Sequence, residues 1–197
     1  IDYSLAPENK FPACIEDVKT AFKWMLENGP DGASPANKTY IAGDSAGGGL
    51  SLASTLALRD EGLALPDGVI ALSPWAELEP TSASFEENNE TDPFLSREGI
   101  TGMADAYVNS QEEKKNPLAS PLFASYKGFP NLLIQVGSRE MLLDDAKRVA
   151  LKAKEEGCDV DLQVWEDMVH VWQGYAPFLP EAVEALEAIG NFINEKP

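Results

Sequence analysis

Apolar positions along the chain change period repeatedly, and each change marks an element. Ile15, Val18, Phe22 and Met25, with Trp24 and Leu26 widening the stripe, follow helical spacing from Pro12 until Gly29. Every third or fourth residue falls on one face of a helix, so this spacing predicts one. A second stripe, Leu50, Leu52, Ala53, Leu56 and Ala57, predicts a helix over 46–60, and further helices are expected over 97–109, 144–156 and 180–194. The apolar runs between them are too short for helices. Residues 69–72 form an unbroken run, as in a strand buried on both faces, and 132–136 reads the same way. Residues 1–5 and 39–42 also read as strands, while 160–164 alternates Val, Leu and Val with Asp and Gln. Loops are expected over 30–38, 73–96 and 166–173. The second of these is long and polar, with Pro74, Pro80 and Pro93, and loops of that length are usually functional or mobile. Alternating strands and helices predict an α/β fold with a mostly parallel sheet and flanking helices, in one domain over 1–197.

Composition narrows the partners. Apolar residues make up 44% of the chain, as in ordinary globular proteins. The formal net charge of -18 disfavours nucleic acid and anionic membrane surfaces, which need clustered Lys and Arg. Most acidic residues are expected on solvated helix faces, and most Trp and Phe residues in the core. Cys14 and Cys158 form no disulfide framework and are expected as isolated thiols. No apolar run is long enough to span a membrane, and no signal peptide is visible. A cytoplasmic location is the resulting expectation, although the first residue is not Met.

The chemistry is expected at Gly43-Asp44-Ser45-Ala46-Gly47, a G-x-S-x-G pattern between a strand and a helix. A turn this tight needs small flanking residues, and it lifts a serine hydroxyl above the sheet at a helix N-terminus. The N–H of Ala46 then offers an oxyanion donor. A serine nucleophile needs a base, and His170 is the chain's one histidine. It lies in the loop after the last strand, where α/β sheets gather their sites. The orienting acid is expected just past the 132–136 strand, with Glu140 preferred over Asp144. Asp144 and Asp145 stand where a helix starts, so N-capping is their expected role. Glu166 and Asp167 lie too near His170 along the chain. No metal cluster and no phosphate-cradling glycine loop is visible, so no cofactor is expected.

These residues resemble the hormone-sensitive-lipase-like, or bacterial type IV, esterases of the α/β-hydrolases over essentially the whole chain. Asp2-Tyr3-Ser4-Leu5-Ala6-Pro7-Glu8 is similar to the family's D-Y-R-L-A-P-E, with Ser4 replacing arginine. Gly43-Asp44-Ser45-Ala46-Gly47-Gly48 is similar to its G-D-S-A-G-G elbow, and Ser73-Pro74-Trp75, Asp92-Pro93, Pro117-Leu118-Ala119-Ser120-Pro121 and His170-Val171-Trp172 are further landmarks. The resemblance implies a serine carboxylesterase acting on short- to medium-chain esters through Ser45, His170 and Glu140. Amidase, lactonase and non-catalytic small-molecule binding remain open beside it. Glu140 departs from the family's usual aspartate. The family's H-G-G-G motif, its helical cap and one inner strand are absent, so a weakly active or inactive C-terminal part of the catalytic domain is expected. The resemblance also allows homodimerisation through an edge strand at 160–164, guarded by Asp159 and Asp161.

Overall fold

In the computed structural model, which describes residues 1–29 and 31–195, four parallel strands form the central sheet. They are β1 (Tyr40–Asp44), β2 (Gly68–Leu72), β3 (Asn131–Gly137) and β4 (Val160–Trp165), and they lie side by side in chain order. Among the described residues, six α-helices accompany them: α1 (Ala13–Met25), α2 (Ala46–Asp60), α3 (Ala83–Glu87), α4 (Arg97–Tyr107), α5 (Leu143–Glu155) and α6 (Pro180–Glu195). Parallel neighbours require crossovers, and α2, the α3–α4 segment and α5 supply them in turn.

The sheet separates two apolar layers because strand side chains alternate between faces. Val69, Ala71, Leu132, Ile134 and Val136 pack with Leu52 and Leu56 of α2 and with Ala146, Val149 and Ala153 of α5. Ile70 and Leu133 point the other way, against Phe192, Ile189 and Ile193 of α6. Burial of each Leu or Ile here contributes about 2 kcal/mol. Gln135 interrupts that second layer without an unpaired amide: its Nε2 donates to Gln163 Oε1 and the Ala185 carbonyl, and its Oε1 accepts from Gln173.

The structure corrects several expectations. Residues 1–5 form no strand. Ile1–Tyr3 and β1 both line a groove of about 950 Å³, and no ladder joins them. The segment is tied instead to α1, through the Ser4 N–H and Asp17 Oδ2 at 2.7 Å. Trp24 does not widen the buried stripe of α1 and is 63% exposed. The loop expected over 30–38 begins at a residue outside the described range and carries a short antiparallel bridge, Asn28↔Ala33. β4 lies at the sheet edge, as the resemblance implies.

The 73–96 stretch differs most from expectation. It contains α3 and is pinned to α5 by buried charge. Asp145 accepts the Ala76 and Glu77 N–H groups on Oδ2, each at 2.9 Å. Arg148 donates to Asp145 Oδ1 at 2.9 Å and to Glu77 Oε2 at 2.7 Å. Asp144 accepts from Ser84 N. Neither aspartate caps its own helix, whose N-cap is Leu142 without a side-chain bond. Glu77, Asp92 and Asp145 are buried rather than on solvated faces. Local spacing cannot reveal this, because each also has a partner tens of residues away: Arg148 for Glu77, Met141 N for Asp92 and Ala76 N for Asp145.

Burial pushes the Asp145 carboxyl up to about 7, against the pull of Arg148 and the two N–H groups. A carboxyl raised in the folded state binds its proton more tightly there than in the unfolded chain. Lowering the pH through that value therefore favours folding. Arg148→Met leaves two buried carboxyls without their cation, at an expected cost of about 2–4 kcal/mol near neutral pH. The loss should shrink in acid, where protons replace the cation. Urea unfolding of both proteins across that pH range measures it.

Candidate active site

The four strands end at one edge of the sheet, and each passes a polar residue to it. The parallel register pairs Asp44 with Leu72, Leu72 with Gln135 and Gly137 with Trp165. Ser45 follows β1, Ser73 follows β2, Glu140 follows β3 and His170 follows β4. Residues up to 125 positions apart thereby meet.

Ser45 sits on a strained turn, with φ 54° and ψ −120°. A non-glycine residue there costs about 1–3 kcal/mol and persists only when its surroundings fix it. They do so on both sides. Its N–H donates to Leu72 O at 2.8 Å, and its carbonyl accepts from Trp75 N at 3.0 Å and Gly49 N at 3.1 Å. The glycines permit the close approach. A Cβ on Gly43 would meet Gly47 O at 2.3 Å, and one on Gly49 would meet Trp75 O at 2.0 Å. The Ser45 hydroxyl does not cap α2. It lies 2.9 Å from His170 Nε2.

His170 Nδ1 lies 2.8 Å from Glu140 Oε2. Glu140 is fully buried. A carboxylate only accepts, so the neutral ring carries its proton on Nδ1 and turns the Nε2 lone pair to Ser45. The other carboxylate oxygen, Oε1, accepts from Gly137 N at 2.6 Å and Ser73 Oγ at 2.7 Å. Of the two candidate acids, the structure brings Glu140 to the imidazole, whereas Asp144 faces Ser84. Asp167 accepts instead from Arg139 Nε.

Several supporting residues were not assigned roles from the sequence. Asp92 Oδ2 accepts from Met141 N at 3.0 Å, and Asn88 Nδ2 donates to Glu140 O at 2.8 Å. The Ser73-Pro74-Trp75 and Asp92-Pro93 landmarks were the available signal. Among the described residues, no group of three or more His, Cys, Asp or Glu side chains is placed to hold a metal ion. Also among them, no helix is long and apolar enough to cross a membrane.

An apolar cavity of about 250 Å³ opens beside the elbow, lined by Ala46, Leu50, Trp75, Leu78 and Tyr107 among others. The arrangement can deprotonate a serine and hold an apolar group beside it. Its weakest tolerance is at Gly49. Gly49→Ala forces apart two backbone segments already bonded through Ser45, so an expected loss of about 3 kcal/mol should appear as a lower urea midpoint.

Comparison with known proteins shows the family to which this fold belongs. Residues 1–174 match the family described as alpha/beta hydrolase fold. An "Acetyl-hydrolase" of Streptomyces hygroscopicus is 39% identical over 193 residues, 98% of this chain and 63% of the relative. An "Esterase" of Acinetobacter venetianus is 35% identical over 98% of this chain and 62% of its own length. The chain thus spans a little under two thirds of these curated relatives. A solved esterase from the bacterial hormone-sensitive lipase family superposes with TM-score 0.91 at 45% identity, covering 99% of this chain and 64% of that one. The chain belongs to the α/β-hydrolase fold family, on its hormone-sensitive-lipase-like branch.

Proposed function

We propose that the chain carries the catalytic machinery of a serine carboxylesterase, with Ser45 as nucleophile, His170 as general base and Glu140 as the acid that orients it. The observation that carries the reading is the continuous chain Ser45 Oγ, His170 Nε2, His170 Nδ1, Glu140 Oε2, with contacts of 2.9 and 2.8 Å. In this mechanism Nε2 takes the Ser45 proton as Oγ attacks the ester carbonyl. Glu140 compensates the charge that develops on the imidazole. The Ala46 N–H, at the start of α2, faces the developing oxyanion with the helix dipole behind it. The alcohol leaves with the proton held on Nε2. Water, activated by the same nitrogen, then releases the acid from Ser45. The cavity beside Ala46 is mostly apolar, which supports esters with short- to medium-chain acyl groups.

The names of the relatives, acetyl-hydrolase and esterase, support the same reaction class. The test is a fluorophosphonate, which loses fluoride to an activated serine oxygen. Intact mass should reveal one phosphonyl adduct on the chain and none on Ser45→Ala. Glu140→Gln should slow labelling about a thousandfold or more, while Asp144→Asn leaves it near the parent rate. An adduct that persists in Ser45→Ala, or a parent that takes none, overturns the reading.

A further inference from the structure

Ser73 lies one residue beyond β2, fully buried, with φ 47°. Its Oγ donates to Glu140 Oε1 at 2.7 Å. The same oxygen accepts the N–H of Val171 at 3.2 Å. Val171 follows His170 directly and is itself strained, at φ 52° and ψ 43°. A β-branched residue in the left-handed region is a marked outlier that its surroundings must hold. One hydroxyl therefore touches the candidate acid and the backbone carrying the candidate base.

The polarity of this link is fixed. An amide N–H only donates, so Val171 occupies a lone pair of Ser73 and leaves its proton to face Glu140. Gly137 N also donates to Oε1. Both groups on that oxygen are then donors, which favours a carboxylate that accepts there and accepts again from His170 on Oε2. Gly137 is held in place by a close approach, since a Cβ on it would meet Met168 O at 2.2 Å. The backbone donor is thus built into the meeting of β3 with the histidine loop, and the Ser73 hydroxyl is the side-chain donor that completes it.

We propose that Ser73 is a positioning residue for this site: its hydroxyl, locked as a donor, sets the carboxylate of Glu140 against His170 Nδ1 and holds the Val171 backbone that aims the imidazole at Ser45. The proposal rests on the triad reading for its effect on reactivity. Its effect on the ring is independent of that reading.

The chain offers a matched structural control. Ser120 is also fully buried, and its Oγ accepts from Leu78 N at 2.9 Å and donates to Lys114 O at 2.6 Å. It bridges an N–H and an acceptor as Ser73 does, but has no bond to Glu140 or His170. With one histidine in the chain, every imidazole signal in an NMR spectrum comes from His170.

Ser73→Ala, Ser73→Cys and Ser120→Ala are compared with the parent in three measurements: thermal melting, the second-order rate of fluorophosphonate labelling, and the Nδ1-bound proton and ring nitrogen shifts of ¹⁵N-histidine protein. Both alanine variants should melt earlier. Ser73→Ala alone should slow labelling about tenfold to a hundredfold, and should lose the Nδ1 proton signal to exchange with mixed tautomers. Ser73→Cys, a weaker donor of similar shape, should fall between it and the parent. If Ser73→Ala melts earlier but keeps the parent's labelling rate and Nδ1 signal, the positioning role is overturned and Ser73 is structural. If the parent takes no label while Ser73→Ala still disturbs the ring, the esterase reading falls and the positioning role stands.

Discussion

A carboxylate without access to water must be met by donors from the protein, because an unpaired charge in the interior costs several kcal/mol. Glu140 is such a group. Its donors come from three different strand ends: Ser73 after β2, Gly137 at the end of β3 and His170 after β4. Satisfying it requires the three ends to be level and close, which the parallel register provides. The same requirement draws in the surrounding loops. Asn88 and Asp92 bind the backbone at Glu140 and Met141, and Ser138 N donates to Trp165 O.

Strain in the backbone gathers around the same edge. Among the described residues, the non-glycine residues at positive φ are Ser45, Ser73, Asp167 and Val171. All lie just beyond strand ends, and each has its N–H bonded: to Leu72 O, Gln135 O, Ser138 Oγ and Ser73 Oγ respectively. The bonds offset conformations that each cost about 1–3 kcal/mol. The apolar layers on both faces of the sheet provide the stability against which that strain is held. The Asp145–Arg148–Glu77 cluster extends the same logic outward. It fixes the residues after Trp75, whose N–H holds the Ser45 carbonyl.

Much of this was readable in the chain. β2 and β3 announce themselves as short apolar runs, and α1, α2 and α6 as helical stripes, because burial imposes the period on the sequence. That Ser45 and His170 would meet was legible for a chemical reason: the glycine-flanked serine marks a turn few other sequences can make, and the chain has one imidazole. The strand expected at residues 1–5 failed because a strand is defined by its partner, and none of the sheet's strands pairs with this segment. Asp145 failed as a cap for a related reason. Its donors, Ala76 and Glu77, are nearly seventy residues away.

The sequence by itself determined the α/β alternation, the glycine-flanked turn at Ser45 and the one imidazole that could serve as its base, since periodicity and residue type are local properties. For the candidate acid it favoured Glu140 over Asp144 as the carboxylate nearer the end of β3, but could not say which of them meets His170. Tertiary structure turns the Glu140 carboxylate to His170 and that of Asp144 to Ser84. It also decided the part of Ser73, whose hydroxyl meets residues 67 and 98 positions away. A hydrogen bond is directional and short, so which distant groups share one follows from how the strand ends are stacked, and no window along the chain contains that information.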